Sequence, residues 1–143
     1  MKGKFIIREL NTFKEMSQQL SLINQLSPDI KQADYERMLK EMLKNGYRMI
    51  IVEEGKIIIG VSGFWIGTKL YSDKYLEADN VVIDEAYRSK GIGKLLMDWL
   101  TEEAKRCNCK MIMLDAYVEN FPGHRFYYRE GFIARGNHFL KKI

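Results

Sequence analysis

Arg88-Ser89-Lys90-Gly91-Ile92-Gly93-Lys94 lies between an apolar run, Val81-Val82-Ile83, and a stretch whose apolar residues recur with helical spacing. The order is strand, tight turn, helix. Two glycines let backbone N–H groups approach an anion closely, at the positive end of the dipole of the helix that follows. Arg88, Lys90 and Lys94 add basic side chains, so the stretch reads as a phosphate cradle. A nucleotide P-loop is excluded: it needs Lys followed by Ser or Thr, Lys94 is followed by Leu95, and the nearest earlier glycine is wrongly spaced. A dinucleotide fingerprint is excluded as well, because Leu96 stands where its third glycine belongs.

Beyond the loop, Ile92, Leu95, Leu96, Trp99, Leu100, Ala104 and Cys107 fall on one face of a helix. Lys110 to Tyr117 then reads as a strand, completing a crossover of the parallel type. Upstream, Tyr75 to Ile83 is a strand, and Tyr47 to Glu53 pairs with Lys56 to Trp65 as a hairpin across Glu54-Gly55. Gly67 to Lys74 reads as a polar loop. Nearer the start, Phe5 to Arg8 is a strand. Thr12 caps a single helix carrying Phe13, Met16, Leu20, Ile23 and Leu26, and a second helix carries Tyr35, Met38, Leu39, Met42 and Leu43 before Asn45-Gly46. At the other end Asn120 caps a short helix that Gly131 stops, and Phe132 to Ala134 and His138 to Lys141 are expected as closing strands.

These residues carry a resemblance. Arg88-x-x-Gly91-x-Gly93, preceded by Asp79-Asn80-Val81-Val82-Ile83 and Tyr87 and followed by Asn120, Phe126-Tyr127 and Gly131-Phe132, resembles the GNAT superfamily of acyl-CoA-dependent N-acetyltransferases. Glu85 replaces a common proline, Ser89 a common glycine and Gly123 a common alanine; none removes an atom the chemistry needs. The resemblance implies an α/β fold of mixed α+β type: a central mixed sheet with two splayed parallel strands, here Tyr75 to Ile83 and Lys110 to Tyr117, and flanking helices. It also implies acetyl-CoA as co-substrate. The pyrophosphate would meet backbone amides of Arg88, Ser89, Lys90, Gly91, Ile92, Gly93 and Lys94. The pantetheine arm would lie beside Val81, Val82 and Ile83 as an added strand, with Asn120 and Tyr127 near it, and the thioester carbonyl would point at the N–H of Val82.

The acceptor amine must be neutral to attack, and an alkylamine is mostly protonated at pH 7. Glu77 and Asp79 lie two apart on the strand and share a face, so either can serve as base; Asp79 is expected to weigh more. Tyr127 matches the tyrosine that protonates the departing thiolate, whereas Tyr128 points to another helix face. Trp65, Tyr75, Tyr117 and His138 are candidates for the acceptor wall, and His124 reads as a helix-surface residue. An acyl-cysteine route is disfavoured, since Cys107 lies roughly 22 Å along the helix from the loop. The expected function is acetyl transfer to a primary amine of a small molecule by direct attack in a ternary complex. The alternatives are a protein or peptide acetyltransferase and a non-catalytic acyl-CoA sensor.

Composition agrees. A chain of 143 residues suits one domain, 1–143, and a single core. Its net charge of +4 is spread among acids, as in Glu102-Glu103-Ala104-Lys105-Arg106, so no nucleic-acid surface is indicated. No stretch is apolar enough for a membrane and no leader pattern is visible, which points to the cytoplasm. Cys107 and Cys109 have neither zinc spacing nor a disulfide framework, so no metal is expected. A homodimer is compatible with the sequence.

Overall fold

A computed structural model describes residues 4–143. The chain forms β1 (Phe5–Leu10), α1 (Phe13–Ser17), α2 (Leu20–Ile23), α3 (Gln32–Lys44), β2 (Arg48–Glu54), β3 (Ile57–Lys69) and β4 (Asp73–Ile83). A 3₁₀ turn (Glu85–Tyr87), α4 (Ile92–Arg106), β5 (Met111–Met113) and α5 (Phe121–Arg129) follow. The strands lie in one mixed sheet in chain order, the first four antiparallel and β5 parallel to β4.

Alternation along the strands sends side chains to two helical layers. Met49, Ile51, Val61 and Val82 pack with Leu20, Ile23, Tyr35 and Leu39 of α2 and α3. Ile50, Val52, Phe64, Leu76 and Ala78 pack on the opposite face with Leu96, Met97 and Leu100 of α4, and Phe126 and Tyr127 of α5 border this second cluster. An ionic knot joins β1 and β2 to α4. Arg48 forks onto Glu9 with both bonds at 2.8 Å, reaches Glu103 at 2.7 Å and lies over the Phe64 ring.

Four sequence expectations are corrected. The first helix is broken at Gln18-Gln19, because the Tyr35 hydroxyl donates to the Met16 carbonyl at 2.7 Å and competes for the acceptor that an unbroken helix would offer to Leu20. The polar loop from Gly67 shrinks to Leu70-Tyr71-Ser72, since Gly67, Thr68 and Lys69 pair with Tyr75, Lys74 and Asp73. The strand from Lys110 is only Met111–Met113. The closing strands do not form: after Gly131 the chain runs without regular structure, exposing Ile133, Phe139 and Leu140. Strand propensity is realised only beside a partner, and β5 is too short to offer one.

Candidate active site

The crossover from β4 to α4 builds the cradle. Ser89 and Gly91 both adopt left-handed backbone conformations, φ 64° and 81°, and Gly91 is the N-cap of α4 with no side chain capping it. Among the described residues, none of the backbone N–H groups from Arg88 through Lys94 donates to a backbone or side-chain acceptor, so the row is free for an anion. A side chain at Gly91 would meet nothing within 4 Å, whereas a Cβ at Gly93 would sit 3.0 Å from the Phe126 ring. Gly93 therefore lets α5 approach the loop. Arg88 donates to the Ile83 carbonyl at 3.3 Å and Lys90 lies over the Tyr87 ring. Lys94 turns instead to Asp98 and Glu130, at 3.3 and 3.6 Å.

The strand entering the loop is irregular at one residue. Asn80 has φ 55°, and the β3–β4 register shifts between Val61 and Gly63. This bulge inverts the alternation: Leu76 and Ala78 face α4 before it, whereas Val82 faces the α1–α3 layer after it. It also fixes which amides are free. Asp84 N–H donates to Ile59 O at 2.9 Å, so in the antiparallel ladder Val82 is turned to β3 opposite Val61, and Val81 and Ile83 are turned to the outer edge. That edge is open, because β5 pairs only with Tyr75, Leu76 and Glu77 and then diverges. The sequence expectation that Val82 offers its N–H outward is therefore corrected to Val81 or Ile83.

Glu77 and Asp79 lie opposite Trp65 and Gly63, on the face of the α1–α3 layer. Asp79 accepts a 3.0 Å hydrogen bond from Trp65 Nε1. Burial raises the Glu77 carboxyl above the ordinary carboxylate range, and the charges of Asp115 and Asp79 push the same way against Lys69 and His138. His138 Nδ1 lies 3.3 Å from Asp115, Trp65 stands opposite Glu77 across the ladder, and Tyr75 precedes Glu77 by two residues on the same strand. Tyr117 keeps its ring in solvent and gives its carbonyl to Asn120 N–H and His124 Nε2, at 3.0 and 2.8 Å. Asn120 caps α5 by accepting from Gly123 N–H at 3.1 Å.

Tyr127 belongs to the opposite, α4-side cluster, held edge-on between Phe126 and Phe132. Burial raises its phenol, so it carries its proton at neutral pH. Tyr128 is exposed. Acids on one face of β4, a protonated phenol on the other and an open strand edge between them can serve a proton removed on one side and a proton delivered on the other.

Two features escaped the sequence reading. Tyr47 is buried with its ring 5.1 Å from Trp65, and its hydroxyl occupies the space a side chain at Gly63 would need. Burial and the Asp79 charge hold that hydroxyl protonated far above the usual phenol range. Beside it lies a cavity of about 150 Å³ lined by Ile23, Ile30, Tyr35, Met38, Met42, Tyr47 and Asn80. A buried glycine in mid-strand, Gly63, was the available signal. A second cavity of about 160 Å³, between the end of α4 and β5, opens on the face away from the acids.

Among the described residues, no helix is long and apolar enough to cross a membrane, and no group of three or more His, Cys, Asp or Glu side chains is placed to hold a metal. Both cysteines are free thiols.

Residues 13–132 match the model of the acetyltransferase (GNAT) family. The chain is 22% identical over 139 residues to the uncharacterized N-acetyltransferase YhdJ of Bacillus subtilis (strain 168), covering 96% of this chain and 98% of that protein. It is 25% identical over 134 residues to glucosamine 6-phosphate N-acetyltransferase of Arabidopsis thaliana, covering 84% and 86%. The crystal structure of a GNAT family acetyltransferase from Staphylococcus aureus superposes with a TM-score of 0.78 at 26% identity, covering 98% of this chain and 99% of that one.

Proposed function

This chain belongs to the GNAT family of acetyltransferases and is an N-acetyltransferase, and we propose that, as a single domain, it acetylates a primary amine of a small molecule by direct attack within a ternary complex. The observation that carries this reading is the row of undonated amides from Arg88 to Lys94 opening onto the free edge of β4. Acetyl-CoA, the family's co-substrate, supplies an acetyl group activated as a thioester. The residues present fit it: the amide row suits a pyrophosphate, the open edge at Val81 and Ile83 suits an extended amide-bearing arm, and Gly91 leaves its approach clear.

The outward N–H of Val81, the first after the bulge, is the donor best placed for a carbonyl oxygen between the splayed strands. Glu77 is the base in this reading and Asp79 the residue that orients Trp65 and attracts the ammonium. In this reading the order expected from sequence is reversed, supported by Asp79 being already hydrogen-bonded to Trp65 and by the raised proton affinity of Glu77. Glu77 removes the amine proton, directly or through water, and Tyr127 delivers one to the departing sulfur from the other face. A new C–N bond replaces the C–S bond. An N-acetyltransferase acting on the small molecule glucosamine 6-phosphate is among this chain's relatives, which supports a small acceptor over a protein.

The test is acetyl transfer across small amines and lysine peptides, read by CoA release and by the mass of the product. Acetyl-CoA binding with no transfer to any acceptor would support a cofactor sensor instead. Faster acetylation of peptides than of every small amine would favour the protein-directed alternative.

A further inference from the structure

The cavity beside the β4 bulge is apolar along its walls and acidic only beyond one end. Tyr35, Met38 and Met42 project from α3 at positions i, i+3 and i+7, on one helix face, and Ile23, Ile30 and Tyr47 complete the apolar lining. The Tyr35 hydroxyl is already committed to the Met16 carbonyl, so this residue offers the cavity its ring. Among the described residues, none of the side chains lining the walls is charged. At the bulge end lies Asn80, adjacent in sequence to Asp79, whose carboxylate is held by Trp65, itself packed on Tyr47.

We infer that the acceptor is a monoamine with a compact apolar body, seated between α3 and Tyr47 with its ammonium toward Asp79 and Glu77. This rests on the acetyl-transfer reading and narrows its substrate class. A cavity of about 150 Å³ lined by apolar side chains takes a body the size of a benzene ring, and the two methionines adapt to its shape. A polyamine would bury its second charge against Met38, Met42 and Ile30 without a partner. A phosphorylated amine would bury its anion among the same apolar side chains without a partner. Neither suits this pocket, in contrast to the phosphorylated acceptor in the name of the Arabidopsis relative.

The experiment compares n-propylamine through n-hexylamine and phenethylamine with cadaverine, spermidine and glucosamine 6-phosphate. Each methylene up to the cavity's capacity should raise kcat/KM about fourfold, and cadaverine should fall at least a hundredfold below n-pentylamine. Met42→Trp should cost n-hexylamine at least tenfold, and Met42→Ala should shift the optimum to longer chains. In parallel, protein labelled with ¹³C at the methionine methyls is titrated with n-hexylamine in the presence of acetyl-CoA, where the Met38 and Met42 signals should move. This readout needs no turnover: shifts at those two methyls without acetylation of any amine would uphold the pocket and sink the transfer reading. Methyl signals that stay still, or diamines and phosphorylated amines turned over faster than the monoamines, would overturn the inference while leaving acetyl transfer intact.

Discussion

Replacing Glu77 by Gln preserves the size of the side chain and removes its ability to accept a proton. Burial first, then the charges of Asp115 and Asp79, raise this carboxyl above its ordinary 4.5. In the wild type the acid limb of kcat/KM against pH should therefore lie above 4.5, with activity rising as the carboxyl ionises. An alkylamine of pKa ~10.4 is neutral in about one molecule in 2,500 at pH 7 and about one in 25 at pH 9. General bases contribute roughly 100-fold to 10,000-fold, so Glu77→Gln should lose at least about 100-fold at pH 7. Its residual rate should then follow the free amine, rising about tenfold per pH unit and closing most of the gap by pH 9. Asp79→Asn keeps an acceptor for Trp65 Nε1 but loses the charge assistance of that 3.0 Å bond and the carboxylate's attraction for the ammonium, so its loss should stay near tenfold. Initial rates of CoA release from pH 5 to 9.5, with circular dichroism to verify folding, decide the matter. An unchanged acid limb in Glu77→Gln, or a loss below threefold at pH 7, would refute Glu77 as the base.

Gly91→Asp should abolish measurable acetyl-CoA binding by calorimetry while the domain stays folded, because its side chain meets no protein atom, Asp tolerates the left-handed backbone at φ 81° at a modest cost in stability, and it sets a negative charge before the amide row. Wild-type affinity in that variant would remove the cradle. Tyr127→Phe should leave acetyl-CoA affinity within about threefold and lower kcat at least tenfold, with exposed Tyr128→Phe as the control; a larger loss in the control would mean that the acid is misassigned. Arg106 and Arg48 hold the Glu103 carboxyl at about 2, below its ordinary 4.5, so their stabilisation is present above pH 4.5 and lost as pH falls toward 2. Arg106 is mostly exposed, which screens its share of the effect, and Glu103→Gln should flatten that part of the urea-denaturation profile between pH 5 and 3.

Local chemistry made much of this protein legible before any coordinates. The phosphate loop could be read because its requirements are contiguous: two glycines, a preceding strand and a following helix face all lie within Val81 to Cys107. The helix starts at Thr12 and Asn120 were readable for the same reason, since a cap acts on an amide three residues away, at 3.1 Å in both cases. What escaped depended on partners distant in the chain. Nothing beside Lys94 announces Glu130, and nothing beside Gly93 announces the Phe126 ring that excludes a side chain there. The interruption of the first helix comes from a hydroxyl donated by Tyr35, and the strands expected after Gly131 lacked an edge to pair with. The decisive case is Asn80. A residue type that tolerates left-handed backbone was visible, but which face Val82 presents, which amides reach the open edge and where the cavity forms follow from its pairing with β3. Sequence specifies which residues favour a strand, a turn or a cap through neighbours a few positions away, whereas register, exposed edges and cavities arise only when segments dozens of residues apart exclude one another from the same space.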